Sequence, residues 1–295
     1  MKTKTRKKKY EKRAAYIFVI PAVLLLFAFL ILPGISTIRY AFTDYNIMRP
    51  DDINFIGLQN FINLFQDKDF LKSIWNTFHF TIFVVPFQCL LALGLALLVS
   101  SRRRGVSIFR AAYFSPMVTS MVVVAILWSV LYNPNPNNGL INAFIVKLGL
   151  EPIGFLSNPK TAMNSIVFMS AWQAAGYQMM IFLAGLQGIP EEQYEAGAID
   201  GAGSIRRFIY ITLPGLKNVI KYVIMITMIQ AMKIFTQPYV MTKGGPQNAT
   251  RTLVYYIYEQ GFQSRNFGYA CAVATIFFVI VISMSLVLKK IIKAD

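Results

Sequence analysis

Residues 16–38 read YIFVIPAVLLLFAFLILPGISTI and contain no charged side chain. A helix rises 1.5 Å per residue, so a segment of this length crosses the hydrocarbon core of a bilayer, which is about 30 Å thick. Pro21 and Pro33 lie near the two ends of the segment, where a helix tolerates proline best. The segment therefore predicts a membrane-spanning helix.

Further apolar segments of similar length follow it along the chain. Hydrophobic residues make up 56% of the sequence and charged residues 14%, whereas a soluble domain carries about a quarter charged residues. Backbone groups in lipid must be hydrogen-bonded within the segment, which favours helices. The sequence predicts an all-α integral membrane protein with six transmembrane helices, in which residues 16–295 form a single transmembrane domain. The other five spans are predicted at 76–99, 111–131, 163–187, 219–240 and 268–288.

The formal net charge of +16 reflects membrane topology. Nineteen of the 29 basic residues fall on one side of the predicted spans, eight of them in the basic tail of residues 1–15. Because basic residues concentrate in cytoplasmic segments, both termini are predicted to be cytoplasmic. The same residues are expected to bind anionic lipid headgroups, and this distribution argues against nucleic-acid binding.

Common catalytic and metal-binding patterns are missing from the sequence. Cys89 and Cys271 fall inside predicted spans, and His79 is the single histidine, with no metal-ligand spacing around them. A phosphate-binding loop needs Gly-x-x-x-x-Gly-Lys followed by Ser or Thr, which the sequence lacks. We therefore expect no catalytic residue, no metal site and no bound cofactor in this chain.

A long polar loop, residues 188–217, separates the fourth and fifth predicted spans. It contains IPEEQYEAGAIDGAG at residues 189–203 and Leu213-Pro214 further on. Pro190 suits the first turn of a helix, and the acidic residues after it suit the positive end of the helix dipole. We expect a short helix over 191–199, a glycine-permitted turn, and a second helix from Ser204.

This loop resembles the EAA loop of binding-protein-dependent ABC importer permeases. The resemblance extends over nearly the whole chain and is specific to the maltose-type carbohydrate permeases, in particular the first of two paired subunits. Gly197 stands where the usual pattern has a second alanine. The resemblance implies that the loop is a cytoplasmic coupling helix that docks on an ATPase subunit. The residues carried over are Glu195, Ala196, Ala198, Asp200, Gly201 and Ala202.

The same resemblance implies a set of partners. They are a second permease subunit that completes a heterodimer, two nucleotide-binding ATPase subunits that bind the ATP, and an extracytoplasmic solute-binding protein. The chain itself would then be a multi-pass transport subunit of a bacterial-type cell membrane and would not be an enzyme.

Polar side chains inside the fourth and fifth spans predict a substrate path. Such side chains are costly in lipid and tend to face the protein interior. Those of span five repeat at intervals of three, three and four residues, which keeps them on one helical face. Two aromatic residues of span four fall where the resembling permeases place pocket residues. Interhelical packing is the alternative role for all of them. The candidates are Trp172, Gln173, Tyr177, Thr227, Gln230, Lys233 and Gln237.

Other transport functions remain open from the sequence. A related permease could carry a non-sugar polar solute such as glycerol phosphate. A secondary carrier or an intramembrane enzyme is disfavoured because the predicted spans contain almost no acidic residue to relay protons or perform catalysis.

Overall fold

The computed structural model describes residue 16, residues 18–100 and residues 105–293, with side chains described as far as residue 290. The predicted basic tail, residues 1–15, lies outside the described residues. Over the described ranges the chain is helical and forms no β-strand beyond two isolated bridges. The helices are α1 (Phe18–Tyr40), α2 (Gln59–Gln66), α3 (Lys68–Leu98), α4 (Val106–Val118), α5 (Met121–Leu131), α6 (Leu140–Lys147), α7 (Ala162–Gln187), α8 (Glu191–Ile199), α9 (Ser204–Gly215), α10 (Lys217–Met232), α11 (Thr236–Met241), α12 (Leu253–Tyr258) and α13 (Phe267–Lys293).

The apolar helices agree with the predicted class. Among the described residues, four helices are long and apolar enough to cross a membrane unbroken: α1, α3, α7 and α13. Two further candidate spans are bent pairs, α4 with α5 at 97° and α9 with α10 at 67°. The all-α integral membrane fold is therefore confirmed, with up to six spans if each bent pair counts as one.

The segment predicted as one straight span at 111–131 is interrupted between α4 and α5. Thr119 and Ser120 adopt extended backbone angles, with ψ of 141° and 131°. Pro116, just before the break, has no N–H to donate to the preceding turn. Serine and threonine also offer side-chain hydrogen bonds that compete with the helix, so this sequence breaks the helix despite its apolar composition.

The segment predicted as a span at 219–240 is also interrupted. α10 ends at Met232, and α11 begins at Thr236. Pro238 cannot donate to the carbonyl of Ile234, so a continuous helix would leave that carbonyl unpaired. Instead, the hydroxyl of Thr252 donates to the Ile234 carbonyl at 2.9 Å. The break therefore depends on a residue well outside the predicted span.

The described residues form two compact units, one drawn from residues 18–66 and 257–278 and the other from residues 67–100, 105–256 and 279–293. In the first unit, the amide of Asn60 donates to the carbonyls of Ala41 and Thr43, both at 2.9 Å. A single domain over residues 16–295 stays a prediction.

Helix α7 is the most buried candidate span of the second unit. Within its most apolar stretch 67% of the residues are buried, against 28% for α3. Ala92 of α3, Met179 and Phe182 of α7, and Val223 of α10 form one core cluster with Leu216. Polar side chains on α7 therefore mostly face protein.

Candidate coupling loop and transmembrane cavity

The loop of residues 188–217 contains the two predicted helices, α8 and α9. Pro190 is the N-cap residue of α8, and Glu191 and Glu192 occupy its first turn. These carboxylates lie at the positive end of the helix dipole, which stabilises the helix start.

Gly201 forms the turn that ends α8. Its φ of +76° lies in the left-handed region that glycine adopts without strain. The N–H of Ala202 donates to the carbonyl of Gly197 at 2.8 Å, and the N–H of Gly201 donates to that of Ala198 at 3.1 Å. This pair of bonds is a Schellman motif, which pairs the last carbonyls of the helix. The backbone of the loop is thus fixed by glycine at position 201.

Two contacts hold α8 against α9. The hydroxyl groups of Tyr194 and Thr212 lie 3.0 Å apart. Gly197 also packs close to Ile211, since a Cβ atom at position 197 would lie 2.9 Å from Cδ1 of Ile211 and that terminal methyl group would have to move. Glycine at position 197, the one departure from the EAA pattern, therefore allows the two helices to approach closely.

The remaining face of the loop is open. Of the predicted coupling residues, Glu195, Ala196, Ala198, Asp200 and Gly201 are exposed, and Ala202 is half-buried. Large apolar side chains beside them are also exposed, with Ile199 at 87%, Ile205 at 76% and Tyr210 at 75%. Such an apolar patch in a polar loop is typical of a protein-binding surface.

A cavity of about 410 Å³ lies within the second unit. Its walls come from α3, from the break between α4 and α5, from α7, and from the end of α10 with the residues that follow it. Five of the seven predicted substrate residues line this cavity: Gln173, Thr227, Gln230, Lys233 and Gln237.

Trp172 and Tyr177 do not line the cavity. Consecutive helical side chains point about 100° apart, so Trp172 faces away from Gln173, and its ring lies 5.3 Å from that of Trp128. Tyr177 lies one turn beyond Gln173 and is half-buried. At this level α4 packs directly on α7, since a Cβ atom on Gly176 would collide with the backbone of Tyr113. Contact of these two aromatic residues with substrate stays a prediction.

The cavity wall also contains polar side chains that were missing from the sequence-based set. Gln88 and Ser170 line it and are only 4% and 5% exposed. The hydroxyl of Ser170 has no hydrogen-bond partner among the described residues. A polar residue inside an apolar span was the available signal, but it did not distinguish the cavity face from a packing face.

Gln173 supports the break next to the cavity. Its amide nitrogen donates to the carbonyl of Pro116 at 3.2 Å. Lys233 is the one charged side chain among the described residues that line the cavity. The cavity therefore combines neutral hydrogen-bonding groups with a single positive charge.

Residues 68–293 match the family model described as "Binding-protein-dependent transport system inner membrane component". The chain is 33% identical to the probable ABC transporter permease protein YurN of Bacillus subtilis, over 96% of this chain and 97% of the relative. It is 35% identical to the arabinooligosaccharides transport system permease protein AraP of the same organism, over 95% of this chain and 89% of the relative.

Two solved structures share this fold. A chain of a bacterial ABC transporter involved in the import of the acidic polysaccharide alginate matches with a TM-score of 0.84 and 22% identity, over 98% of both chains. The alginate transporter in complex with its pentasaccharide-bound periplasmic protein matches with a TM-score of 0.84 and 23% identity, over 97% of this chain and 98% of that one.

Proposed function

The chain belongs to the family of binding-protein-dependent transport system inner membrane components, and we propose that it forms half of the translocation pathway for a sugar or oligosaccharide. The observation that carries this proposal is the cavity, whose lining contains several polar side chains, among them the buried hydroxyl of Ser170, which has no partner among the described residues. Sugars present many hydroxyl groups, and buried polar groups are normally hydrogen-bonded. The relative AraP, a permease for arabinooligosaccharides, supports the carbohydrate class.

The loop of residues 188–217 receives the ATPase subunit in this proposal. Glu195 and Asp200 supply charge, and Ala198 and Gly201 leave room for side chains of the partner. The exposed Ile199 and Ile205 supply apolar area that docking would bury. Two such ATPase subunits bind and hydrolyse the ATP, and this chain transmits their movement to the cavity.

Two further partners complete the importer. A second permease subunit forms the other half of the pathway, and an extracytoplasmic binding protein delivers the sugar. The structural neighbour crystallised with its periplasmic protein supports this arrangement. The chain is an inner membrane component, and we propose that both its termini are cytoplasmic.

Purification of the tagged chain from its native membrane tests this function. We expect an ATPase subunit and a second permease to copurify, and ATP-dependent sugar uptake after reconstitution with the binding protein. Replacing the exposed Ala198 with tryptophan should release the ATPase subunit while the chain stays folded in the membrane. A matched Lys147→Gln substitution on α6 should retain it. An ATPase subunit that still binds the Ala198 variant would contradict the proposed docking surface.

A further inference from the structure

The cavity contains one charge without a partner. Lys233 lines it, and the ammonium group makes no hydrogen bond or ion pair with any residue in the described part of the chain. Charged side chains at membrane depth normally pair with an opposite charge or with backbone carbonyls. The side chain of Lys233 is exposed in this chain, so a ligand or partner from outside the chain can supply the opposite charge.

Capping of α10 does not account for this lysine. Lys233 is the C-cap residue of α10, where a positive charge favours the helix dipole. However, it is its backbone N–H that bonds to the last turn, at 3.1 Å from the carbonyl of Gln230. The ammonium group remains available to the cavity.

Neutral hydrogen-bonding groups surround the same space. The hydroxyl of Ser170 is more than nine-tenths buried and unpaired among the described residues, and the amide of Gln88, buried to a similar degree, lines the same cavity. Gln230 and Gln237 line the same cavity as Lys233. A ligand with hydroxyl groups and one anionic group could hydrogen-bond to these neutral side chains and pair with Lys233. Its bond to Lys233 would be charge-assisted and therefore stronger than a neutral hydrogen bond.

We propose that the transported solute is an anion whose carboxylate or phosphate group binds Lys233, while Ser170 and Gln88 bind its hydroxyl groups. This inference rests on the proposed function, and it narrows the substrate class from sugars in general to acidic sugars or sugar-like phosphate esters. Acidic sugars and phosphate esters both present an oxyanion beside hydroxyl groups, and this oxyanion is the group that would bind Lys233.

Uptake by the whole importer, reconstituted in proteoliposomes with its binding protein, tests the proposal. The probes are matched pairs: digalacturonate against galactobiose, and glycerol 3-phosphate against glycerol. We expect uptake of one anionic probe and little uptake of its neutral counterpart. If digalacturonate is the anionic probe that is transported, the site binds a carboxylate, and if it is glycerol 3-phosphate, the site binds a phosphate.

Three variants locate the effect in this chain. Lys233→Gln should lower uptake of the anionic probe at least about tenfold, as expected for the loss of one charge-assisted contact. Lys233→Arg should retain most of it. Lys147→Gln removes a positive charge on α6, outside the cavity, and should have no effect. The binding protein is the same in every case, so a loss specific to Lys233→Gln originates in the permease.

Other outcomes overturn the proposal. Preferred uptake of the neutral probes would refute the anionic substrate but would agree with the proposed function as a sugar permease. Unchanged anion uptake by Lys233→Gln would remove Lys233 from the site. Loss of the second permease from the Lys233→Gln complex would show that Lys233 pairs with that subunit instead. No uptake of any probe by an assembled, ATP-hydrolysing complex would contradict the proposed function itself.

Discussion

The side-chain amide of Gln178 on α7 donates a hydrogen bond of 3.0 Å to the hydroxyl of Thr227 on α10. Gln178 is fully buried, and Thr227 also lines the cavity. The bond therefore joins the fourth and fifth spans directly beside the proposed substrate path. Polar groups buried between apolar helices hold them in a defined register, because slipping would leave the groups unpaired.

We expect Thr227→Val to destabilise the protein by about 1–3 kcal/mol, because it leaves the amide of Gln178 buried without an acceptor. The double variant Thr227→Val with Gln178→Met should recover much of that loss, since both polar partners are then replaced by apolar groups of similar shape. Denaturant unfolding in detergent measures both. Additive losses in the double variant would show that the bond contributes nothing specific.

The turn at the end of α8 provides a second prediction. Gly201→Val should abolish coupled transport, because a β-branched residue in the left-handed region is strained by about 1–2 kcal/mol and distorts the docking face. Gly203→Ala is the matched control, since Gly203 has a φ of −66° and no atom close to an added Cβ. Sugar-stimulated ATP hydrolysis and the amount of each variant in the membrane are measured together. Equal coupling in both variants would contradict a role for this turn.

Hydropathy was sufficient to locate the apolar segments but not their breaks. Hydropathy averaged over a stretch of residues depends only on composition. Thr119 and Ser120 therefore do not stand out within the apolar segment, although the helix breaks at these residues. The second break depends on Thr252, which takes up the carbonyl left by Pro238. Contacts between residues far apart in sequence carry no periodic signal.

The candidate site was only partly predictable for a similar reason. Thr227, Gln230 and Lys233, which are spaced three residues apart, all line the cavity, while their contact with substrate stays a prediction. The ring of Trp172, one of the two aromatic residues expected beside the sugar, lies against that of Trp128, and the cavity lining does not include it. Which face of α7 meets the cavity depends on how α4 packs against Gly176, and this packing is not visible in the sequence.

Topology is a third prediction. A cysteine introduced at Gln193 should be protected from an impermeant thiol reagent in intact cells and labelled after lysis, because the loop of residues 188–217 is expected to be cytoplasmic. A cysteine at Asn137, which is also exposed, should be labelled in intact cells. The native Cys89 and Cys271 are at least half-buried and lie in candidate spans, so the background should be low. Labelling at position 193 before lysis would reverse the proposed orientation.

Ser170 allows substrate contact to be separated from packing. Its hydroxyl has no partner among the described residues, so Ser170→Ala removes no hydrogen bond within the chain and should leave the unfolding midpoint unchanged or slightly raised. If the hydroxyl binds substrate, the same variant should lower uptake by about 0.5–1.5 kcal/mol of binding, or roughly two- to tenfold. Ser165→Ala on the same helix is the control, because that hydroxyl is 3.0 Å from the carbonyl of Thr161 and 3.1 Å from that of Phe155. The control should lose stability while uptake per folded molecule persists. Ser170→Ala with normal uptake kinetics would exclude this hydroxyl from the path, and a loss of stability without a change in uptake would assign it to helix packing.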